Sequence, residues 1–217
     1  MAKEQLAVTI WNYKGGVGKS TIAHIITQIG IQRGMKVLAV DLDEQRNLTK
    51  TLELSSSLYP SIEVRNALPE GDVEEDIDMY VIDTHPSKDK IVERALKFAD
   101  IVLLPILGDY HSLINLVSAF DYIRKAGAGT QQAAIVKNGM SGLKVTAEVE
   151  EALEEMNYPI AGRLPHCNTL LRNLASGYSW DKYLRVNQHA QFLKLYENLW
   201  TAYREMLKGN FSDLWKK

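Results

Sequence analysis

Between an apolar run, Ala7-Val8-Thr9-Ile10-Trp11, and a stretch with Ile22, Ile25, Ile26 and Ile29 at helical spacing lies Tyr13-Lys14-Gly15-Gly16-Val17-Gly18-Lys19-Ser20-Thr21. Glycines let the backbone curl so that successive N–H groups point inward at one anion. The helix that follows presents its N-terminus, the positive end of its dipole, to the same place. Lys19 would add a point charge on the β- and γ-phosphates of a nucleotide, and the Ser20 hydroxyl a ligand for Mg²⁺. The spacing G-x-x-x-x-G-K-[ST] is met loosely: Tyr13 stands at the first glycine position, and Lys14 is an additional lysine. A plain glycine-rich turn is the alternative, but a strand before and a helix after are the setting a phosphate loop needs.

Such a loop requires a parallel strand and a crossover helix, and the rest of the chain supplies more of both. Strands are predicted at Lys36–Val40, Met79–Ile82, Ile101–Leu104 (ending at Pro105) and Ala133–Val136, with a short one opening at Ile160-Ala161. Helices are predicted at Lys19–Arg33, near Lys88–Phe98, at Ser112–Lys125, over Glu148–Met156 and along Gln188–Leu207. Alternation of this kind gives a single-domain α/β fold: a twisted, mostly parallel sheet with helices on both faces. Residues 1–217 read as one domain whose C-terminal part, 163–217, is basic and helical. Ser55 to Asp78 is acidic and weakly patterned, and reads as a surface excursion.

Composition narrows the class further. No apolar run approaches the roughly 18 residues that span a bilayer. The chain runs into a strand pattern at once, so no signal peptide is expected. The single cysteine, Cys167, can form neither an internal disulfide nor a thiolate cage. A cytoplasmic setting is the expectation. The net charge of −2 is unevenly spread: residues 161–217 hold nine Lys/Arg against four acids, a balance of +5, which leaves −7 for the remainder. That asymmetry fits a polyanionic partner, and equally a solvated surface.

Three carboxylates fall at predicted strand ends: Asp41 and Asp43 after the second strand, and Asp83 after Val81-Ile82. Mg²⁺ beside phosphates needs hard oxygen ligands. Asp83 has the apolar-run-then-Asp form of a Walker B acid. Hydrolysis also needs a group that orients or deprotonates the attacking water, and Asp43 is the candidate. A capping or loop aspartate is the alternative for each.

Together these segments resemble the ParA/MinD group of deviant Walker A ATPases. Lys14-Gly15-Gly16-Val17-Gly18-Lys19-Ser20-Thr21 is similar to the group's signature loop. Asp41-Leu42-Asp43-Glu44-Gln45-Arg46-Asn47 is similar to its D-x-D-P-Q-x-N motif, with Glu44 for proline. Val81-Ile82-Asp83-Thr84-His85-Pro86-Ser87 is similar to its I-I-D-x-P-P-S, with His85 for the first proline. Ala99 to Pro105 and Gly162-Arg163-Leu164-Pro165 are similar to later elements, so the likeness runs over residues 6–177. The resemblance implies a dimer that sandwiches two ATP molecules with Mg²⁺. In it, Lys14 reaches the partner's nucleotide, and Gly15, Gly16, Val17, Gly18, Lys19, Ser20 and Thr21 bind phosphates. Ser20, Asp43 and Asp83 serve the metal, and Asp43 with Lys14 and Lys19 serves catalysis. Lys137-Asn138 and Pro165 would hold the base. His85 would stand beside the metal, either tuning that site or as a neutral filler. Members are slow ATPases that position a plasmid, chromosome or protein compartment, and a ParB-like or other cargo adaptor stimulates their hydrolysis.

Three function classes fit this pattern. A partition ATPase would bind DNA without sequence preference in its ATP state, through Arg163, Arg172, Lys182, Arg185 and Lys194, and would sit on the nucleoid in the cytoplasm. A MinD-like regulator of division-site placement would bind a membrane through the tail, where Phe211, Leu214 and Trp215 share a helical face beside Lys216 and Lys217. A metabolic ligase would use the same loop with a basic substrate pocket that the sequence does not reveal, and the single cysteine excludes the iron–sulfur variants. Trp11, Trp180, Tyr183 and Trp200 read as packing aromatics, Cys167 as a small buried hydrophobe, and the five histidines show no metal spacing.

Overall fold

The computed structural model of the chain describes residues 4–70, 74–127, 129, 132–140, 144–211 and 214–215. Seven strands alternate with helices: β1 Leu6–Ile10, α1 Lys19–Gln32, β2 Val37–Asp41, α2 Asn47–Leu54, β3 Glu63–Arg65, β4 Met79–Asp83, α3 Lys90–Phe98 and β5 Ile101–Ile106. Then come α4 Tyr110–Ile114, α5 Leu116–Lys125, β6 Ala133–Met140, α6 Lys144–Glu155, β7 Ile160–Pro165, α7 Asn168–Ala175 and α8 Val186–Leu207. The strands form one sheet in the order β3-β2-β4-β1-β5-β6-β7, every pairing parallel. This is the α/β fold expected from the alternation.

Strand side chains alternate between the two faces, and the core divides accordingly. Leu6, Val8 and Ile10 of β1 pack with Ala134 and Val136 of β6 against α1, α7 and α8. Val102 and Leu104 of β5 pack with Ala133 and Ile135 of β6 against α3, α5 and α6. A smaller cluster, with Leu38, Val40, Tyr80 and Ile82, meets Ala95 of α3. Both faces of the sheet are therefore covered, as parallel sheets require.

Several segments differ from expectation, among them α2 and α7, which lie where no helix is predicted. The fifth strand passes through Pro105 rather than stopping there. Leu103 turns its carbonyl to β1, where the Trp11 N–H donates to it at 2.9 Å. Pro105, two residues on, faces the same side beyond the end of β1. No ladder bond is lost to its missing N–H, and its carbonyl accepts from Asn12 Nδ2 at 2.8 Å. The helix expected over Ser112–Lys125 is two, broken at Asn115, whose carbonyl accepts from the Tyr13 hydroxyl at 3.2 Å. The excursion after Ser55 contains the three-residue edge strand β3. Tyr183, expected as a packing aromatic, is 78% exposed at φ 61°.

The C-terminal quarter is tied to the first crossover. The Trp180 N–H donates to Gln28 Oε1 and its Nε1–H to Gln32 Oε1, both at 2.9 Å. Leu214 is buried in the main core, and Trp215 packs against it. Two of the three apolar tail residues that would face a bilayer are thus used inside the fold, while Phe211 is exposed; Lys216 and Lys217 lie outside the described residues. Among the described residues, no helix is long and apolar enough to cross a membrane.

Candidate nucleotide site

Register brings the motifs together. Ile10 of β1 pairs with Asp83 of β4, and Asp83 pairs with Asp41 of β2. The loops leaving β1, β2 and β4 therefore emerge side by side at the carboxyl edge, the place where open parallel sheets bind ligands. A cleft of about 420 Å³ opens there, lined by Gly15, Gly16, Gly18, Lys19, Ser20, Thr21 and Asp43, with Asn47, Thr51, Pro86 and Leu174.

The loop has the curl predicted from its glycines. Gly16 and Gly18 adopt φ of 73° and 94°, a left-handed region where a side chain is strained. Gly18 is doubly constrained, because a Cβ there would fall 2.2 Å from Asn138 Nδ2. Asn138 holds the loop in place by donating to the Val17 carbonyl at 2.8 Å. Val17 is buried and anchors the arch. Asn12 braces its start, with Oδ1 accepting from the Lys14 N–H at 2.9 Å.

Lys19 is 7% exposed. Burial lowers its pKa, and Asp83 and Asp43 pull it back up. Among the described residues its Nζ makes one long bond, to the Lys14 carbonyl at 3.4 Å, so the ammonium is free to serve an anion in the cleft.

The three aspartates have different jobs. Asp41 is fully engaged in structure: Oδ2 accepts from the Thr49 N–H and hydroxyl at 2.9 and 2.8 Å, and Oδ1 from the Asp43 N–H at 3.2 Å. It stitches β2 to α2. Asp43 lies at the cleft, its Oδ1 accepting from the Gln45 N–H at 2.9 Å, which fixes the turn that carries it. Asp83 is wholly buried, yet no well-formed hydrogen bond reaches either oxygen among the described residues. Burial pushes its carboxyl up to about 7, Asp41 and Asp43 add to the rise, and the nearby Ser20 hydroxyl and Lys19 oppose it. A buried, orphaned carboxylate beside a hydroxyl and a phosphate loop is the donor set a hard divalent cation uses. The residues present therefore fit Mg²⁺, with Asp83 and Ser20 to hold it.

Two further residues shape the site, and one was misjudged. His85 turns both ring nitrogens to acceptors: Nδ1 to the Leu42 carbonyl at 3.1 Å and Nε2 to Asp89 Oδ2 at 2.5 Å. Asp89 caps α3 by accepting the Ile91 and Val92 N–H groups. Only the imidazolium donates on both sides. Burial opposes that charge, but Asp89 and the Leu42 carbonyl outweigh it, and the pKa is raised. His85 thus braces the Asp43 turn against α3 rather than merely filling space, and its two acceptors favour the protonated ring. Asp109, which the sequence did not single out, caps α4 and holds the Lys14 Nζ at 3.0 and 2.9 Å from its two oxygens.

The remaining candidates are scattered. Pro165 ends β7, paired with Met140. Lys137 and Asn138, adjacent on β6, point to opposite faces. Asn138 reaches the loop, and Lys137 lines a separate cavity. Arg163 pairs with Glu150 at 2.7 Å and shares that cavity with Lys194. Arg172, Lys182 and Arg185 fall instead in α7 and the segment joining it to α8, where Lys182 Nζ lies 3.3 Å from the Tyr178 ring centroid.

An AAA domain family matches residues 5–68. Among curated proteins, the chain is 34% identical to a replication protein A of Rhizobium rhizogenes, over 47% of this chain and 23% of that one. It is 26% identical to the chromosome-partitioning ATPase Soj of Thermus thermophilus, over 56% of this chain and 63% of that one. It thus spans less than two thirds of the length of either relative. The solved MinD cell division protein of Aquifex aeolicus is 18% identical, with a TM-score of 0.71 over 90% of this chain and 97% of that one, a likeness of fold. The signature loop, the paired-aspartate turn and the buried Walker B acid thus meet in one cleft on this fold, and these comparisons support the chain's similarity to the ParA/MinD group of deviant Walker A ATPases.

Proposed function

We propose that this protein is a ParA-type ATPase: an ATP-bound dimer that binds DNA without sequence preference, positions a cargo, and is reset by slow, adaptor-stimulated hydrolysis. The observation that carries the nucleotide half is the cleft itself, with a left-handed glycine arch, a buried lysine free for an anion and an orphaned buried carboxylate. Mg²⁺, when bound, would shield charge on the phosphates. The chain's own groups supply the rest. Loop N–H groups and Lys19 orient the phosphates, and Asp43 orients the attacking water. Lys14, released from Asp109, completes the site across the dimer.

Support for DNA over membrane comes from the C-terminal region. Of the three apolar positions a membrane anchor would use, Leu214 is in the core and Trp215 packs against it, leaving only Phe211 exposed. Arg172 and Arg185 are exposed around the α7–α8 connection. Three contacts per protomer from Arg172, Lys182 and Arg185 would make six in a dimer, for which affinity drops roughly 10³-fold between 50 and 200 mM salt. The check is binding of random-sequence duplex DNA with ATP and with ADP across that range. ATP-dependent, steeply salt-sensitive binding is expected. Absence of binding in both states, with recruitment to anionic vesicles instead, would replace this reading with the MinD-like one.

A further inference from the structure

A second cavity, of about 550 Å³, lies beside the edge strand β7, bounded by α6, α8 and the tail. It shares no lining residue with the phosphate cleft. Its volume is that of a small-molecule pocket. The walls combine Leu195, Leu214 and Trp215 with three cations, Lys137, Arg163 and Lys194, and two acids, Glu150 and Glu154, which leaves one cation in excess. Arg163 is neutralised by Glu150 at 2.7 Å. Lys137 is not: it is 8% exposed and makes no ion pair or hydrogen bond among the described residues.

That lysine is the unusual feature. Parity along β6 turns it away from the phosphate loop that Asn138 grips. An ammonium withdrawn from water without an anion is unfavourable, and an apolar side chain there would be more stable. A ligand that brings its own negative charge removes the penalty. We propose that this cavity is a second ligand site, which takes a small molecule with one anionic group, a carboxylate or a phosphate, on an apolar body. Lys137 meets the anion, Lys194 flanks the mouth, and Leu195, Leu214 and Trp215 cover the body. Because Leu214 and Trp215 belong to the tail and Asn138 adjoins Lys137, occupancy would be felt at both the C-terminus and the loop.

The test is calorimetric titration of the full chain, in saturating ADP–Mg²⁺ so that the phosphate cleft is filled, with 1-naphthyl phosphate, 1-naphthoate and uncharged 1-naphthol. One or both anions should bind one per chain, at least tenfold tighter than naphthol, and whichever is tighter identifies the anionic group. Lys137→Met should reduce the anion to the affinity of naphthol, while Lys137→Arg retains the preference. If Lys137→Met does not fold, Thr201→Trp, at an exposed position of the cavity lining, should block all three probes. Anions no tighter than naphthol in the native protein, a preference that survives Lys137→Met, or full binding to Thr201→Trp would each overturn the proposal.

Discussion

Replacing Lys19 by alanine should weaken ATP binding by about 30- to 5,000-fold, the 2–5 kcal/mol that truncating one partner of a buried charge pair removes. The magnitude follows from how the lysine is held. It is almost wholly buried, and its one bond among the described residues is long. Its position is set by α1, whose first residue it is. Little of its interaction is therefore spent before a phosphate arrives, and most of it appears as affinity. The loss should fall on ATP and ADP alike if Lys19 contacts the β-phosphate, and on ATP alone if it contacts only the γ-phosphate. Calorimetry with both nucleotides separates these. Undiminished affinity for both would remove Lys19 from the phosphate site.

The second large effect runs the opposite way, a gain in stability with loss of function. The Asp83 carboxyl titrates in the fold at about 7, well above its ordinary range. Its contribution to stability is therefore present below its unfolded pKa and is lost as pH rises through 7. Without nucleotide and metal at pH 8, the native protein holds a buried carboxylate that no well-formed hydrogen bond reaches among the described residues. Asp83→Asn should then be more stable than the native protein by on the order of 2–4 kcal/mol, about 1.4 kcal/mol for each pKa unit. Near pH 4 the two should be nearly equal. Urea unfolding at the two pH values reads the difference. The same variant should lose Mg²⁺-dependent turnover. Equal stability at pH 8 would mean that Asp83 has a partner and is a structural carboxylate like Asp41.

How these effects could be anticipated from the residues differs from case to case. Strands such as Met79–Asp83 and Ile101–Ile106 are continuous apolar runs, because a parallel sheet is covered on both sides. They were legible at once. The loop glycines were legible because only glycine tolerates the arch. β3 was missed because three half-buried residues at an edge carry no periodicity. The C-terminal turn of β5 was misread because Pro105 ends a strand only where its N–H is needed. Asp41 and Asp43 could not be told apart in sequence. Thr49, eight positions on, saturates one and leaves the other at the cleft. His85 and Asp109 act through partners, the Leu42 carbonyl and Lys14, that only the fold brings close. The basic quarter looked like one surface but divides into a cavity at β7 and a separate cluster at α7–α8, because spacing along a chain does not report which side of a sheet edge a residue lies on.

The Lys14–Asp109 pair bears on the central claim. At about one-third exposure on each side it is a weak surface ion pair, readily exchanged for a partner's triphosphate. An ATP-sandwich dimer requires that exchange. The most direct measurement is the sedimentation mass of Asp43→Ala, which should bind ATP without turning it over, in saturating ATP–Mg²⁺ and in ADP–Mg²⁺. The account predicts a stable dimer with ATP and a monomer with ADP, and loss of the ATP dimer when Lys14→Ala is added. A monomer of Asp43→Ala with ATP bound would contradict it.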